Sequence, residues 1–328
     1  MTFFKNKKNI LCAAVGIILT VAVCTAAFSR SERPPVSETK FLLDTVCTIT
    51  LYEWSDDENA IMDGAFDLCG RYDKLLSTTA SDSDIYRMNH SHGKTVTVSE
   101  ETAELIGRAV HYCSLSGGEF DITIYPVKAL WDFSGDSPTL PNEDKLSKAV
   151  KMVDYRKIKV NGADITVPDG VGIDLGAIAK GFIADRIADY LRSNHVVSAI
   201  IDLGGNVYAI GSKPDGGSWR VGIRQPFGSQ EADVAEVKNA SVVTSGIYQR
   251  YFELEGKIYH HILRSSDGMP CDTGLYSVTV ISKNSEQCDA LSTICMLLGY
   301  ENSIPILDRF NDIKAVFITS DNRIIHYG

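Results

Sequence analysis

Apolar positions along the chain change their spacing from segment to segment, and those changes divide it into strands and helices. Phe41 to Tyr52 alternates and is rich in Thr, Val and Ile, which predicts a strand. From Asn59 to Leu76 the apolar residues Ile61, Ala65, Leu68, Tyr72 and Leu75 fall on one helical face. Ser77 to Asn89 is polar, turns at an Asp-Ser-Asp run and reads as a surface loop. Ser99, followed by Glu100 and Glu101, caps a second helix reaching about Ser114. Trp131 to Pro141 is a loop, Asn142 or Glu143 opens a short helix, and Lys157 to Val167 makes a hairpin at Asn161-Gly162.

The second half is richer in strands. They are expected at Val196–Leu203, onward to Ile210, at Trp219–Gln225, at Ala240–Thr244 and at Tyr276–Ser282, with a hairpin over Tyr251–Ile262 around Glu255-Gly256. Gly205, in mid-strand, suggests a bulge or a ligand-facing surface, and Thr244-Ser-Gly246 a small-residue turn. A helix from Asn284 or Ser285 closes at Gly299, and two strands, Ile313–Ser320 and Arg323–Tyr327, finish the chain. Runs of strands broken by helices predict an α+β fold: mixed, largely antiparallel sheets with packed helices, rather than a doubly wound parallel sheet.

One stretch changes period abruptly. Val171 to Leu175 predicts a short buried strand; from Ala177 onward Ile178, Phe182, Ile183, Ile187 and Leu191 follow helical spacing. A strand running through a Gly176 turn into a helix gathers unpaired N–H groups and the positive end of the helix dipole, which suits a phosphate. Lys180 lies one turn in, and Asp174 stands at the strand end. The same residues also suit an ordinary strand–helix junction, with Gly181 there for close packing. The order is neither GxxxxGK[ST] nor GxGxxG. In the last long helix Asp289 and Thr293 are four apart, so a carboxylate and a hydroxyl share one face. That pair suits a hard cation such as Mg²⁺; it equally suits dipole complementation by Asp289 and back-bonding by Thr293. His260-His261 are neighbours in a strand, so at most one can face a site.

Composition narrows the classes. The chain has 328 residues, 44% of them apolar, and a net charge of −10. With no dense basic stripe beyond the N-terminus, nucleic acid is not expected as a partner. Lys5, Lys7 and Lys8 precede an apolar run from Ile10 to Phe28, which predicts a membrane anchor or signal segment over residues 1–28, a linker over 29–40 and one domain over 41–328. The positive flank stays cytoplasmic, so the domain is expected at the cell membrane on its extracytoplasmic side. Cys24 is a candidate for lipidation as in a lipoprotein, but Val23 before it suits that processing poorly, and an uncleaved anchor is preferred. The six cysteines beyond the anchor form no CxxC pair and most sit in apolar patterns, as buried hydrophobes do; disulfides outside the membrane are the alternative, with a pairing that sequence does not assign.

Seven motifs, in order, together resemble the FAD:protein FMN transferases, the ApbE-like family. They are Leu43-Asp44-Thr45, Glu119-Phe-Asp-Ile-Thr123, Asp174-Leu-Gly-Ala-Ile-Ala-Lys-Gly181, Asp202-Leu-Gly-Gly205, Thr244-Ser-Gly246, His261-Ile262 and Asp289-Ala-Leu-Ser-Thr293. The resemblance implies a Mg²⁺-dependent enzyme that moves FMN from FAD to a Thr or Ser hydroxyl of a partner redox protein, releasing AMP. It implies that Asp289, Thr293 and the carbonyl of Ala177 hold Mg²⁺. It also implies that Lys180 and the Gly176 turn serve the pyrophosphate, that His261 lies near the phosphates, and that Asp289, His261 and Lys180 are the catalytic set. Leu43, Thr79, Glu119, Phe120, Asp121, Asp174, Lys180 and Ile262 would line the flavin nucleotide site. Two positions depart from the family pattern. Arg264 stands where the pattern has Asp, with Asp267 nearby, and Thr79 stands where an aromatic is common. The alternatives are a Mg²⁺-dependent FAD pyrophosphatase giving FMN and AMP, and a non-catalytic, membrane-anchored flavin-binding protein.

Overall fold

The computed structural model describes residues 34–133 and 139–328. The expected anchor over 1–28, with Cys24, lies outside the described residues; among those described, no helix is long and apolar enough to cross a membrane.

The first expected strand is a hairpin of two. Val36–Leu42 (β1) pairs antiparallel with Thr45–Glu53 (β2) through Leu43-Asp44, whose φ angles of 56° and 55° are those of a two-residue hairpin turn. The linker over 29–40 is thereby corrected, because its last five residues already belong to β1. Six more strands complete an eight-stranded sheet: Ser198–Leu203 (β6), Asn206–Ile210 (β7), Ala240–Gly246 (β10), Leu275–Ser282 (β13), Lys314–Thr319 (β14) and Ile324–Tyr327 (β15). The order is β1-β2-β6-β7-β10-β13-β14-β15, with every neighbouring pair antiparallel.

Period-two alternation gives this sheet two faces. Ala199 and Ile201, Tyr208 and Ile210, Val243, Ala315 and Phe317 join the main core, which holds the helices. Their in-between neighbours Ile200, Ala209, Val242, Val316 and Ile318 point the other way, onto a hairpin of Trp219–Arg224 (β8) and Glu231–Val237 (β9). The sequence reading missed β9. Against the first face lie Glu58–Leu75 (α1), Ala179–Ser193 (α6) and Ser285–Leu298 (α7).

Smaller units surround them. Asp84–Asn89 (α2), capped by Ser83, replaces the loop expected over Ser77–Asn89, because Ile85 and Met88 bury against the core. Glu100–Leu115 (α3) starts at the Ser99 cap, and Thr95–Thr97 (β3) joins Lys159–Asn161 (β4) and Asp164–Thr166 (β5) in a three-stranded sheet. Tyr125–Lys128 (α4) and Glu143–Val150 (α5) pack against the hairpin of Tyr251–Leu254 (β11) and Lys257–His260 (β12), around Trp131, Phe252, Tyr259 and Leu263. Tyr300–Leu307 (α8) follows Gly299. Two further expectations are corrected. Gly205 is no mid-strand bulge but, with Gly204, the β6–β7 turn at φ 91° and 66°. Thr244-Ser-Gly246 is no turn but the end of β10, paired with β13.

All six cysteines among the described residues are buried and free. The α+β expectation of antiparallel sheets with packed helices therefore holds for the described chain.

Candidate active site

Val171 to Leu175 is extended but is not a strand. Its ladder partners are replaced by a side chain: the Asn89 Oδ1 accepts from the Ile173 N–H at 2.6 Å, and its Nδ2 donates to the Ile173 carbonyl at 2.9 Å. Asp174 N–H donates to the Ile122 carbonyl at 2.8 Å, and Gly172 makes a single parallel bridge to Ile124. The segment is buried between elements, which gives it the apolar run of a strand without a sheet. Asn89 was not singled out from sequence. The one available signal was the Ser83 cap followed by Ile85 and Met88, which would have placed Asn89 at a helix end.

Asp174 then shapes the turn. Its Oδ1 accepts from the Gly176 N–H at 2.9 Å, and its Oδ2 accepts from Lys128 Nζ at 2.6 Å. Burial pushes the Asp174 carboxyl up, but the Lys128 ammonium, the Gly176 N–H and the Arg250 charge together outweigh it and the net shift is downward, so this carboxylate stays ionised. Asp202 repeats the device, its Oδ1 accepting from Gly205 N–H at 2.7 Å. The doubled Asp-Leu-Gly nevertheless makes two different turns, since Asp174 bonds the N–H two residues on and Asp202 the N–H three residues on, through Gly204 and Gly205 at positive φ.

Helix α6 begins at Ala179, not Ala177, and its N-cap residue Ile178 offers no side-chain cap. The Gly181 N–H finds another acceptor, donating to Asp289 Oδ2 at 2.9 Å. This helix start therefore gives one of its N–H groups, that of Gly181, to a protein carboxylate. In a helix continued backward, Gly181 N–H would donate to the Ala177 carbonyl. That carbonyl accepts no main-chain hydrogen bond among the described residues. Gly181 makes the approach possible: a Cβ there would lie 2.3 Å from the Ser285 carbonyl oxygen and 2.7 Å from Glu286 Cα.

Asp289 is 4% exposed. Burial raises its pKa, while the Lys180 ammonium acts in the opposite sense; Lys180 acts the same way on Asp202. Lys180 is therefore electrostatically coupled to both aspartates. On the same face of α7, Thr293 Oγ1 is 3.1 Å from Ser245 Oγ, at the end of β10.

The two histidines separate cleanly. His260 is buried, donates through Nε2 to the Cys271 carbonyl at 2.9 Å and accepts from the Ile262 N–H at Nδ1. Both nitrogens are committed to structure. His261 contacts the Arg250 carbonyl through Nδ1 at 3.2 Å. A carbonyl only accepts, so Nδ1 carries the proton and Nε2 keeps its lone pair. Burial, with help from the Arg250 and Lys128 charges, holds the His261 imidazole down to about 3. Lys128 and Arg250 were not singled out from sequence; neither lies in a motif, and only the tertiary fold brings them near His261 and Asp174.

The remaining expected residues divide. Leu43 lies in the β1–β2 turn, and Thr79 is exposed in the loop after α1 with its hydroxyl 3.1 Å from Ser77 Oγ. Phe120 and Ile262 are core side chains, and Glu119 is half-buried. Asp121 turns inward: it accepts from Thr123 N–H, Thr123 Oγ1 and Tyr155 N–H at 2.8, 2.6 and 2.9 Å, so its carboxylate holds its own loop together. Asp267 does not replace the acid missing at Arg264, since it pairs with the Arg264 guanidinium at 2.6 Å and accepts from Met269 N–H.

Among the described residues no three His, Cys, Asp or Glu side chains converge on a possible metal. The candidate cation site instead has one buried carboxylate, one hydroxyl and one carbonyl without an N–H donor. That all-oxygen set fits Mg²⁺, which binds through one or two carboxylates and keeps positions for phosphate.

Fold and site together define an α+β protein whose central helix start, acid–hydroxyl pair and the cations Lys128, Lys180 and Arg250 suit a polyphosphate ester. The model of the ApbE family matches residues 43–317, and the chain belongs to that family. A protein of Treponema pallidum named FAD:protein FMN transferase is 34% identical over 316 residues, spanning 90% of this chain and 87% of its own. One of the same name from Klebsiella pneumoniae is 36% identical over 283 residues, spanning 84% and 87%. The crystal structure of the ApbE protein from Thermotoga maritima superposes with a TM-score of 0.82 at 29% identity, over 89% of this chain and 96% of that one. The Pseudomonas stutzeri flavinyl transferase ApbE gives 0.79 at 28% identity, over 91% and 96%.

Proposed function

We propose that this chain is a Mg²⁺-dependent FAD:protein FMN transferase, which moves FMN from FAD to a Thr or Ser hydroxyl of a partner redox protein and releases AMP. The observation that carries the reading is the handover at Gly181. Because Asp289 takes the Gly181 N–H, the Ala177 carbonyl is left with no main-chain donor among the described residues, and the buried Asp289 carboxylate has Thr293 one turn further along α7. Asp289, Thr293 and the Ala177 carbonyl would hold Mg²⁺. When bound, the ion neutralises pyrophosphate charge and makes AMP a better leaving group.

The chain's own residues supply the rest. Lys180 adds positive charge beside Asp289, and Arg250 and Lys128 add it beside His261. In the transfer, the acceptor oxygen bonds to the FMN phosphorus, the bond from that phosphorus to the AMP oxygen breaks, and the acceptor proton leaves. His261 keeps the Nε2 lone pair because its Nδ1 proton faces the Arg250 carbonyl, and it would take the acceptor proton once bound phosphate charge raises the pKa of an imidazole that burial holds down. Phosphoryl transfer needs positioning and charge neutralisation more than a covalent nucleophile. The apolar run Ile10–Phe28 would hold the domain on the extracytoplasmic side of the cell membrane.

The test mixes the purified protein with FAD, Mg²⁺ and a candidate acceptor domain and follows acceptor mass alongside AMP. The expected result is an FMN adduct that is lost with EDTA and in Asp289→Ala. AMP and free FMN without adduct on two acceptors would replace the reading with an FAD pyrophosphatase. FAD binding with neither product would leave a flavin-binding protein.

A further inference from the structure

Two hydroxyl contacts link β10 to α7, and a third lies within α7. Ser292 Oγ donates to the Asp289 carbonyl at 3.0 Å, Ser245 Oγ is 2.8 Å from Ser292 Oγ, and Ser245 Oγ is 3.1 Å from Thr293 Oγ1. Each hydroxyl has one proton. The carbonyl has none, so Ser292 must spend its proton there. Ser245 must then donate to Ser292, and Thr293 must donate to Ser245. Only this direction makes all three contacts hydrogen bonds. Ser292 is fully buried, so no water competes for its proton.

From this proton count we infer that Ser245 and Ser292 are positioning residues that aim the Thr293 proton away from the cation site, so that its oxygen presents lone pairs there. The inference rests on the reading of Asp289 and Thr293 as cation ligands. A threonine whose proton faced a cation would repel it; one whose proton is tied back to Ser245 is a ready oxygen ligand. The anchor of the relay is the main-chain carbonyl of Asp289 itself, so one residue would supply a ligand and orient the other. Outer partners of this kind typically change metal affinity by about 10–100-fold when removed.

The test titrates the full-length protein with Mn²⁺, reading free ion by electron paramagnetic resonance, and competes it with Mg²⁺. Thermal melting confirms that each variant is folded. Ser245→Ala is expected to weaken Mn²⁺ binding about tenfold, and Ser245→Thr, which keeps the hydroxyl, to restore it. Ser292→Ala should weaken it too, although Ser245 is intact, because Ser245 is then free to donate to Thr293. A role in packing alone would not distinguish these. In the Thr293→Ala background, Ser245→Ala should add nothing. Wild-type affinity in both Ser245→Ala and Ser292→Ala, with Asp289→Ala and Thr293→Ala impaired, would overturn the relay and leave the metal site standing. Absence of any Mn²⁺ binding by the wild-type protein would overturn the metal site and the relay with it.

Discussion

Replacing Gly181 by Ala tests the contact that builds the site. The added Cβ would meet the Ser285 carbonyl oxygen at 2.3 Å and Glu286 Cα at 2.7 Å, both main-chain atoms at the start of α7. No rotamer change relieves a main-chain clash, so α6 and α7 must part by about 1 Å to reach van der Waals separation. Overpacking of this kind costs about 1–3 kcal/mol. Against it stands the ordinary gain of roughly 0.5–1 kcal/mol for Gly→Ala inside a helix. The net loss expected is about 1 kcal/mol, a fall of roughly 2–4 °C in Tm. Gly107 is the control. It lies inside α3, and a Cβ there meets nothing within 4 Å, so Gly107→Ala should stabilise by about 0.5–1 kcal/mol. Thermal and urea unfolding of the two variants and the wild type measure both. Gly181→Ala should also weaken Mn²⁺ binding, because the Gly181 N–H and Asp289 Oδ2 move apart. If Gly181→Ala melts as high as Gly107→Ala, the argument from close helix approach is wrong.

Three other outcomes are expected. His261→Ala should abolish FMN transfer with little change in Tm, whereas His260→Ala should cost about 1–3 kcal/mol, since the Cys271 carbonyl and Ile262 N–H lose a buried partner; equal Tm losses for both would contradict the division of roles. Asp185, which accepts from the N–H groups of Ser285 and Glu286, is pushed up to about 6, mainly by burial. A raised carboxyl pKa means the folded state holds the proton more tightly. This contribution is therefore full below about pH 4 and is lost as pH rises to about 6, by at most about 3 kcal/mol. The stability of wild type relative to Asp185→Asn should accordingly fall from pH 4 to pH 7 in urea titrations, and a pH-independent difference would refute the shift. Finally, a reductant should leave Tm unchanged, because the six described cysteines are buried thiols; a large drop would reveal bridges.

Local patterns in the chain determined most of the architecture. Ser99, Asn142 and Asn284 cap helices where their types and followers predict. Alternation in β6, β7, β10 and β14 marks both faces of the sheet, because side chains on a strand point to opposite sides by geometry alone. The pairing of Asp289 with Thr293 also follows from local geometry, since residues four apart on a helix share a face.

What needed the tertiary structure were partners distant in sequence. Val171–Leu175 carries the composition of a strand, yet its neighbour is the Asn89 amide, which no periodicity specifies. Asp121 belongs to a motif but spends its carboxylate on Tyr155, and Lys128 belongs to none yet binds Asp174. Asp289 closes α6 through Gly181, a contact spanning 108 residues. Sequence spacing fixes which residues share an element. It does not fix which elements meet, because that depends on how buried surfaces and unsatisfied polar groups from the whole chain find one another, and there the site is made.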